Sequence, residues 1–287
     1  MLPVTLAPAK PNLDELKEAA RRVRVDVLRM THKAQSGHPG GSMSMADLLV
    51  ALYATRLRVD PNDPKAATRD RFILSKGHTC PALYAVLAER GFFSKEEYKG
   101  LRRAGFLLQG HTDIKIPGVD MSAGSLGMGL GFANGVALGE KLAGRDTRVW
   151  VMLGDGECQE GSVWESAMTT PFRKLDHVTA IVDSNQIQID GFVKDVKDLE
   201  PFADKWRAFG WDVRSIDGHN FHEILAAYDY ADSRVGKGKP VLILAHTEKG
   251  NGVSFTRLKA DYHGRALTDD EMKRALAELG EEFTGAL

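Results

Sequence analysis

Only two cysteines, Cys80 and Cys158, occur in the 287 residues. That excludes a disulfide framework and a cysteine-rich zinc site, and a reducing cytoplasm fits. An excess of one charge is lacking too: 38 Lys and Arg stand against 39 Asp and Glu, a formal net charge of −1, with no block of either sign. A polyanion-tracking surface therefore has no support, and nucleic acid is not an expected partner. Residues 1–11 hold three prolines and no basic-then-apolar signal, so they are read as an extended segment of a chain that stays where it is made. Residues 121–139 carry no charge, but six of the 19 are glycine and Ser122, Ser125 and Asn134 are polar. Such a stretch is too weakly apolar to enter a membrane and too flexible to stand as an independent helix. No repeat of 20 to 50 residues and no low-complexity linker divides the chain. At about 150 residues per domain the length allows two units, but one domain over 1–287, with a short tail at 282–287, is the expectation.

Glycine is in surplus: 29 of 287, with 11 of them between positions 118 and 161. Either a close-packed glycine-bearing helix or backbone that must approach a ligand explains that concentration. Around it the hydrophobic pattern alternates helix and strand. Asn12 is a helix cap, and Leu13, Leu16, Ala20, Val23, Val27, Met30 and Ala34 follow at spacings of three and four, one long amphipathic helix. A second helix is expected from near Ser44. Short apolar runs at 71–74, 149–153, 178–182, 211–216 and 241–245 read as strands. A final helix is expected over 269–281, opened by a Thr268–Glu271 capping box. Alternation of this kind predicts an α/β fold, a parallel sheet with helices on both faces, whose ligands bind beyond the carboxyl ends of the strands.

The most informative stretch is the buried strand that runs into Gly154-Asp-Gly156. After a helix, the next strand ends at Asp183-Ser-Asn-Gln186. A right-handed βαβ unit puts both loops on one edge of the sheet, so Asp155 and Asn185 can converge. Carboxylate, amide oxygen and a backbone carbonyl are hard ligands suited to Mg²⁺ or Ca²⁺, and Mg²⁺ usually completes its octahedron with phosphate and water. The flanking glycines and the following helix N-terminus favour that phosphate. A nicotinamide fold is the rival, but Gly154-Asp-Gly-Glu-Cys-Gln-Glu-Gly161 does not match G-x-G-x-x-G, and an acid inside the turn would repel a bare pyrophosphate. Asp155 as a plain turn residue would leave its pairing with Asn185 unexplained. Four of nine histidines, His38, His78, His111 and His219, directly follow glycine. The first three lie in loop-like contexts, where imidazole can bond sugar or phosphate and move protons. Without an H-x-x-x-H pair, zinc is the weaker reading.

These residues resemble the diphosphate-binding, N-terminal part of the transketolases, from about Leu13 to Leu279. Ser36-Gly-His-Pro-Gly40, Asp70-Arg-Phe-Ile-Leu-Ser-Lys-Gly-His78, Gln109-Gly-His111, Gly124-Ser-Leu-Gly-Met-Gly129, the Gly154–Gly161 run and Asp190-Gly191 occur in that family's order. The resemblance implies the thiamine diphosphate-binding fold, with thiamine diphosphate and Mg²⁺ as cofactors and Ca²⁺ or Mn²⁺ as substitutes. It implies that Asp155, Asn185 and the carbonyl of Ile187 hold the metal, that Gly156 and His78 meet the diphosphate, and that Gly124, Ser125 and Leu126 meet the aminopyrimidine through backbone. His38 and His111 are implied to line the donor-sugar channel. His263, before Gly264, is the implied counterpart of a substrate-side histidine and an additional cofactor contact. Three departures stand out: Ser125 where proline is common, Gln186 where a doubled asparagine is common, and one histidine where two often precede the glycine.

The implied reaction moves a two-carbon ketol unit from a ketose phosphate to an aldose phosphate. Full transketolases need a pyrimidine-binding domain, and the strand and helix signals here leave no room for one. A split enzyme is expected, pairing this chain with a separate C-terminal pyrimidine-domain chain, two copies of each. A 2-oxo acid dehydrogenase subunit would share the metal motif but not the histidine set, and a deoxyxylulose phosphate synthase would lack this loop pattern. A transketolase subunit specialised for branched or sulfonated sugars, a nicotinamide reductase and a noncatalytic thiamine-binding or assembly module are the remaining alternatives. Glu160 and Glu165 read as exposed helix acids that could join a proton network.

Overall fold

The computed structural model describes residues 12–284; the extended segment expected at 1–11 and the last three residues of the tail lie outside the described residues. Five parallel strands form the central sheet in the order β1-β2-β3-β7-β6: β1 (Arg71–Leu74), β2 (Val149–Gly154), β3 (Val178–Ser184), β6 (Asp212–Asp217) and β7 (Val241–His246). A small antiparallel pair, β4 (Ile187–Gln188) and β5 (Gly191–Phe192), follows β3. The strand expected at 211–216 sits one residue later.

The side-chain period of two sorts β2 between the sheet's faces. Trp150 and Met152 enter a core with Leu28, Leu48 and Tyr84, whereas Val149, Val151 and Leu153 enter a second core with Leu130, Val163 and Trp206. The first core is built by α1 (Leu13–Ala34), α3 (Ala46–Thr55), α4 (Cys80–Glu89), α9 (Phe221–Ser233) and α10 (Asp269–Glu278). Opposite lie α5 (Gly129–Leu142), α6 (Gly161–Phe172) and α8 (Phe202–Ala208), with the short α2 (Pro39–Ser44) and α7 (Val193–Lys197) at the edge of the sheet where the loops gather.

The Asn12 side chain caps α1 by accepting from the Asp14 N–H at 3.0 Å. The helix expected from near Ser44 is two helices, because Pro39 opens α2 and the chain breaks at Met45 before α3. The capping box at Thr268 and Glu271 is present, but α10 ends at Glu278, not 281. Arg21 donates there to the Leu279 carbonyl at 2.6 Å, and Phe283 packs edge-on against His32. Residues 129–142 do form a helix: alone too rich in glycine to be stable, it is held by burying Leu130, Ala133 and Ala137 against the sheet. Among the described residues no helix is long and apolar enough to cross a membrane.

Candidate active site

Parallel pairing aligns the strands' carboxyl ends: Gly154 of β2 lies beside Asp183 of β3, which lies beside Ala245 of β7. The loops leaving β1, β2, β3 and β7 therefore emerge at one edge and enclose a cavity of about 360 Å³. His38, His78, His111, Asp155, Asn185 and His263 all line it, as do Gly124, Leu126, Gly156 and Ile187. Ser125 is exposed and is not among the lining residues. His219 stands outside, bonded to Asp47 at 2.7 Å. Glu165 is exposed on α6, while Glu160, also exposed, borders the cavity.

Asp155 is 5% exposed, yet its oxygens accept only from backbone, from the Gly156 N–H at 2.8 Å and the Gln186 N–H at 2.6 Å. Among the described residues no cationic group forms an ion pair with it. Burial, reinforced by the nearby Asp183 charge and opposed by those two backbone bonds and the Lys76 charge, pushes its carboxyl up to about 6. A buried carboxylate outside any ion pair is costly as an anion and invites a cation.

Asn185 is oriented from below. Its amide nitrogen donates to Asp183 Oδ2 at 3.1 Å and to the Ser44 hydroxyl at 3.2 Å, while its oxygen accepts from the Ile187 N–H at 3.3 Å and keeps a second lone pair for a ligand. Burial would raise the Asp183 carboxyl, but the Lys76 ammonium and the Ser44 and Thr247 hydroxyls hold it below the ordinary range. Gln186 bends the chain between Asn185 and Ile187 through a left-handed conformation, φ 74°. Asparagine tolerates that region better than other side chains, which is a physical reason for a doubled asparagine here. Glutamine takes the same turn, and its side-chain amide is anchored on the Thr247 carbonyl at 3.1 Å.

The imidazoles converge. His38 lies edge-on to His78, His111 and His263 at ring separations of 5.0, 6.3 and 5.5 Å, and His78 stacks on His263 at 5.4 Å. His38 Nδ1 is buried without any hydrogen-bond partner, an acceptor or donor awaiting a ligand. Burial, aided by neighbouring cations, lowers His38 to about 4, His78 to about 2 and His263 to about 3. These rings are neutral at pH 7.

Lys249 was not among the residues that the sequence marked. It is 2% exposed, donates to the Ile187 carbonyl at 2.8 Å and contacts His263 Nδ1, and burial beside Lys76 lowers its amine to about 7. Its signal was positional: it follows an apolar strand run, where functional groups of a parallel sheet gather.

Residues 15–285 match the family described as transketolase, thiamine diphosphate binding domain. The chain belongs to the transketolase family. It is 44% identical over 269 residues to the 6-deoxy-6-sulfo-D-fructose transketolase subunit SqwG of Clostridium sp. (strain MSTE9), covering 93% of this chain and 97% of that one. It is 38% identical to an apulose-4-phosphate transketolase subunit of Phocaeicola vulgatus, covering 94% and 96%. Human transketolase is 36% identical, but this chain spans only 43% of it. The transketolase structure from Campylobacter jejuni superposes with a TM-score of 0.89 at 32% identity, over 95% of this chain and 44% of that one. The protein is thus a transketolase subunit of the N-terminal, thiamine diphosphate-binding type.

Proposed function

We propose that the chain carries the diphosphate half of a split transketolase site, silent until a separate pyrimidine-domain chain joins it, and that the pair moves a two-carbon ketol unit from a ketose phosphate to an aldose phosphate. The observation that carries this is Asp155, buried and in no ion pair among the described residues, beside Asn185 and the Ile187 carbonyl, in the cavity where four imidazoles meet. Among the described residues no three His, Cys, Asp or Glu side chains gather for a metal. A magnesium ion fits nonetheless, since its ordinary donor set is one or two carboxylates completed by phosphate and water. Asp155, the Asn185 amide oxygen and the Ile187 carbonyl are assigned to that ion.

Gly156 and His78 are assigned to the diphosphate, and the backbone of 124–126 to the aminopyrimidine. When bound, thiamine diphosphate supplies a carbon nucleophile able to hold the electron pair of a broken carbon–carbon bond. This chain's part is to orient and move protons. His38, with its unpartnered Nδ1, and His111 hold the donor sugar by its hydroxyls and carbonyl oxygen. His263, neutral at pH 7, bonds a sugar hydroxyl through Nε2, the ring nitrogen away from Lys249, and orients it for proton loss. The span 1–287 is read as one domain, working in the cytoplasm with two copies of each chain and with no nucleic acid or membrane.

The partner's seat is the cavity mouth. Ile189 and Leu126, 68% and 37% exposed, border the cavity, and Met128 and Phe132, 52% and 41% exposed, follow Leu126 in the chain. Exposed apolar side chains beside an open site are what a protein contact would cover. Calorimetry with thiamine diphosphate and Mg²⁺, with NAD(H) as the control, tests the cofactor; copurification followed by a screen of ketose donors, phosphorylated and sulfonated, tests the reaction. Binding of NAD(H) in place of thiamine diphosphate, or ketol transfer by the rigorously purified single chain, overturns the reading.

A further inference from the structure

Glu157 is a carboxylate that the proposed chemistry leaves unused, and it is 3% exposed. It lies in the turn after Asp155, in the 3-10 segment Gly156–Gln159. One of its oxygens, Oε1, accepts from the Gly127 N–H at 2.9 Å and from the Ser75 hydroxyl. The other, Oε2, accepts from the Gly154 N–H at 3.0 Å. The Ser75 oxygen accepts in turn from the Gly129 N–H at 3.0 Å. One side chain thereby joins the loop after β1, the glycine turn before α5, the first residue of α5 and the last residue of β2. The glycines make the approach possible: Gly127 is left-handed at φ 81°, and a Cβ on Gly129 would stand 2.3 Å from Ser75.

We propose that Glu157 is a positioning residue that sets the glycine turn 124–127 against the Gly154-Asp-Gly156 loop, so that the two halves of the cofactor site are held in register by one carboxylate. The inference rests on the cofactor reading above for its functional side, while the clamp itself is a property of the chain. Its chemistry is specific. Three donors converge on two oxygens, and a carboxylate is acceptor-only. Glutamine has nearly the same shape but one acceptor oxygen, so its amide would oppose the N–H of Gly127 or of Gly154.

The experiment compares Glu157→Gln with the unaltered chain, each assembled with its partner, by amide hydrogen exchange without cofactor and by calorimetry with thiamine diphosphate and Mg²⁺. Exchange at whichever of the Gly127 and Gly154 N–H groups faces the new amide should rise at least tenfold while peptides from α1, α3 and α4 exchange as before, and the cofactor's Kd should rise about tenfold, as when a supporting residue behind a ligand is lost. Unchanged exchange at both Gly127 and Gly154 overturns the clamp, and so does a uniform rise across the core, which would make Glu157 a support of the fold alone. Ser75→Ala, which removes only the hydroxyl link, should free Gly129 and leave Gly127 protected; protection of Gly129 equal to the unaltered chain overturns the proposal even if Glu157→Gln does not fold. Failure of the unaltered chain to bind the cofactor would count against the cofactor reading and leave the exchange comparison standing.

Discussion

The two helical layers that cover the sheet are finished to different degrees. On one side α3 and α4 are buried almost all round, every residue but Ala54 and Ala88, because they pack on each other, α1 covers both and α9 covers α3. On the other side α5 and α6 bury one stripe each and leave Phe132, Leu142, Met168 and Phe172 at 41%, 88%, 51% and 76% exposure. A helix apolar on its outer face as well as its inner one is made to be covered. The first layer reads as a closed core, and the second reads as half of an interface beside the cavity.

The sharpest way to separate the cavity from both layers is Asp155→Ala. It should lower affinity for thiamine diphosphate with Mg²⁺ more than a hundredfold in calorimetry, yet leave the unfolding midpoint unchanged or raised, because a buried unpaired carboxylate is removed. Next, Leu48→Ala in the closed layer should cost about 2–5 kcal/mol in denaturant unfolding, whereas Phe172→Glu on the open layer should change stability by no more than about 0.5 kcal/mol and weaken assembly with the partner in sedimentation. Equal effects of the two substitutions on folding would erase the contrast.

Acid gives a milder test. His38, His78 and His263 have folded pKa values below the unfolded value of 6.5, so below that pH the unfolded chain binds more protons than the folded one. Their contribution to stability is complete above pH 6.5 and is lost as pH falls towards 4 and below. The unfolding midpoint should drop over that range, and His38→Gln should flatten the drop. The smallest effect is expected at the cysteines: both are buried and burial raises Cys80 to about 12, so a thiol reagent should label neither in the native state, whichever layer is perturbed.

Strands and long helices were legible because their periodicity is local: α1 follows from its spacing of three and four, and all five central strands from short apolar runs, with β6 one residue later than expected. Asp155, Asn185 and the loop histidines were legible because glycine and strand ends announce a parallel-sheet edge. What sequence could not disclose is interaction across distance. Lys249 and Glu157 act by reaching segments 62 and 82 residues away, Ile187 and Ser75, and nothing in their own neighbourhoods marks that reach. The break at Met45 and the end of α10 at Glu278 escaped because helix ends depend on Pro39 and on tertiary contacts such as Arg21 with Leu279.

The cavity takes its walls from His38 at one end of the chain to His263 near the other. No fragment can own such a site, because the strands between must pair before its members meet. Occupancy is consequently a report on global folding: a ligand at a hundred times its Kd would add about 2.7 kcal/mol to the native state, and that gain would be withheld from any nascent or clipped chain whose sheet had not closed.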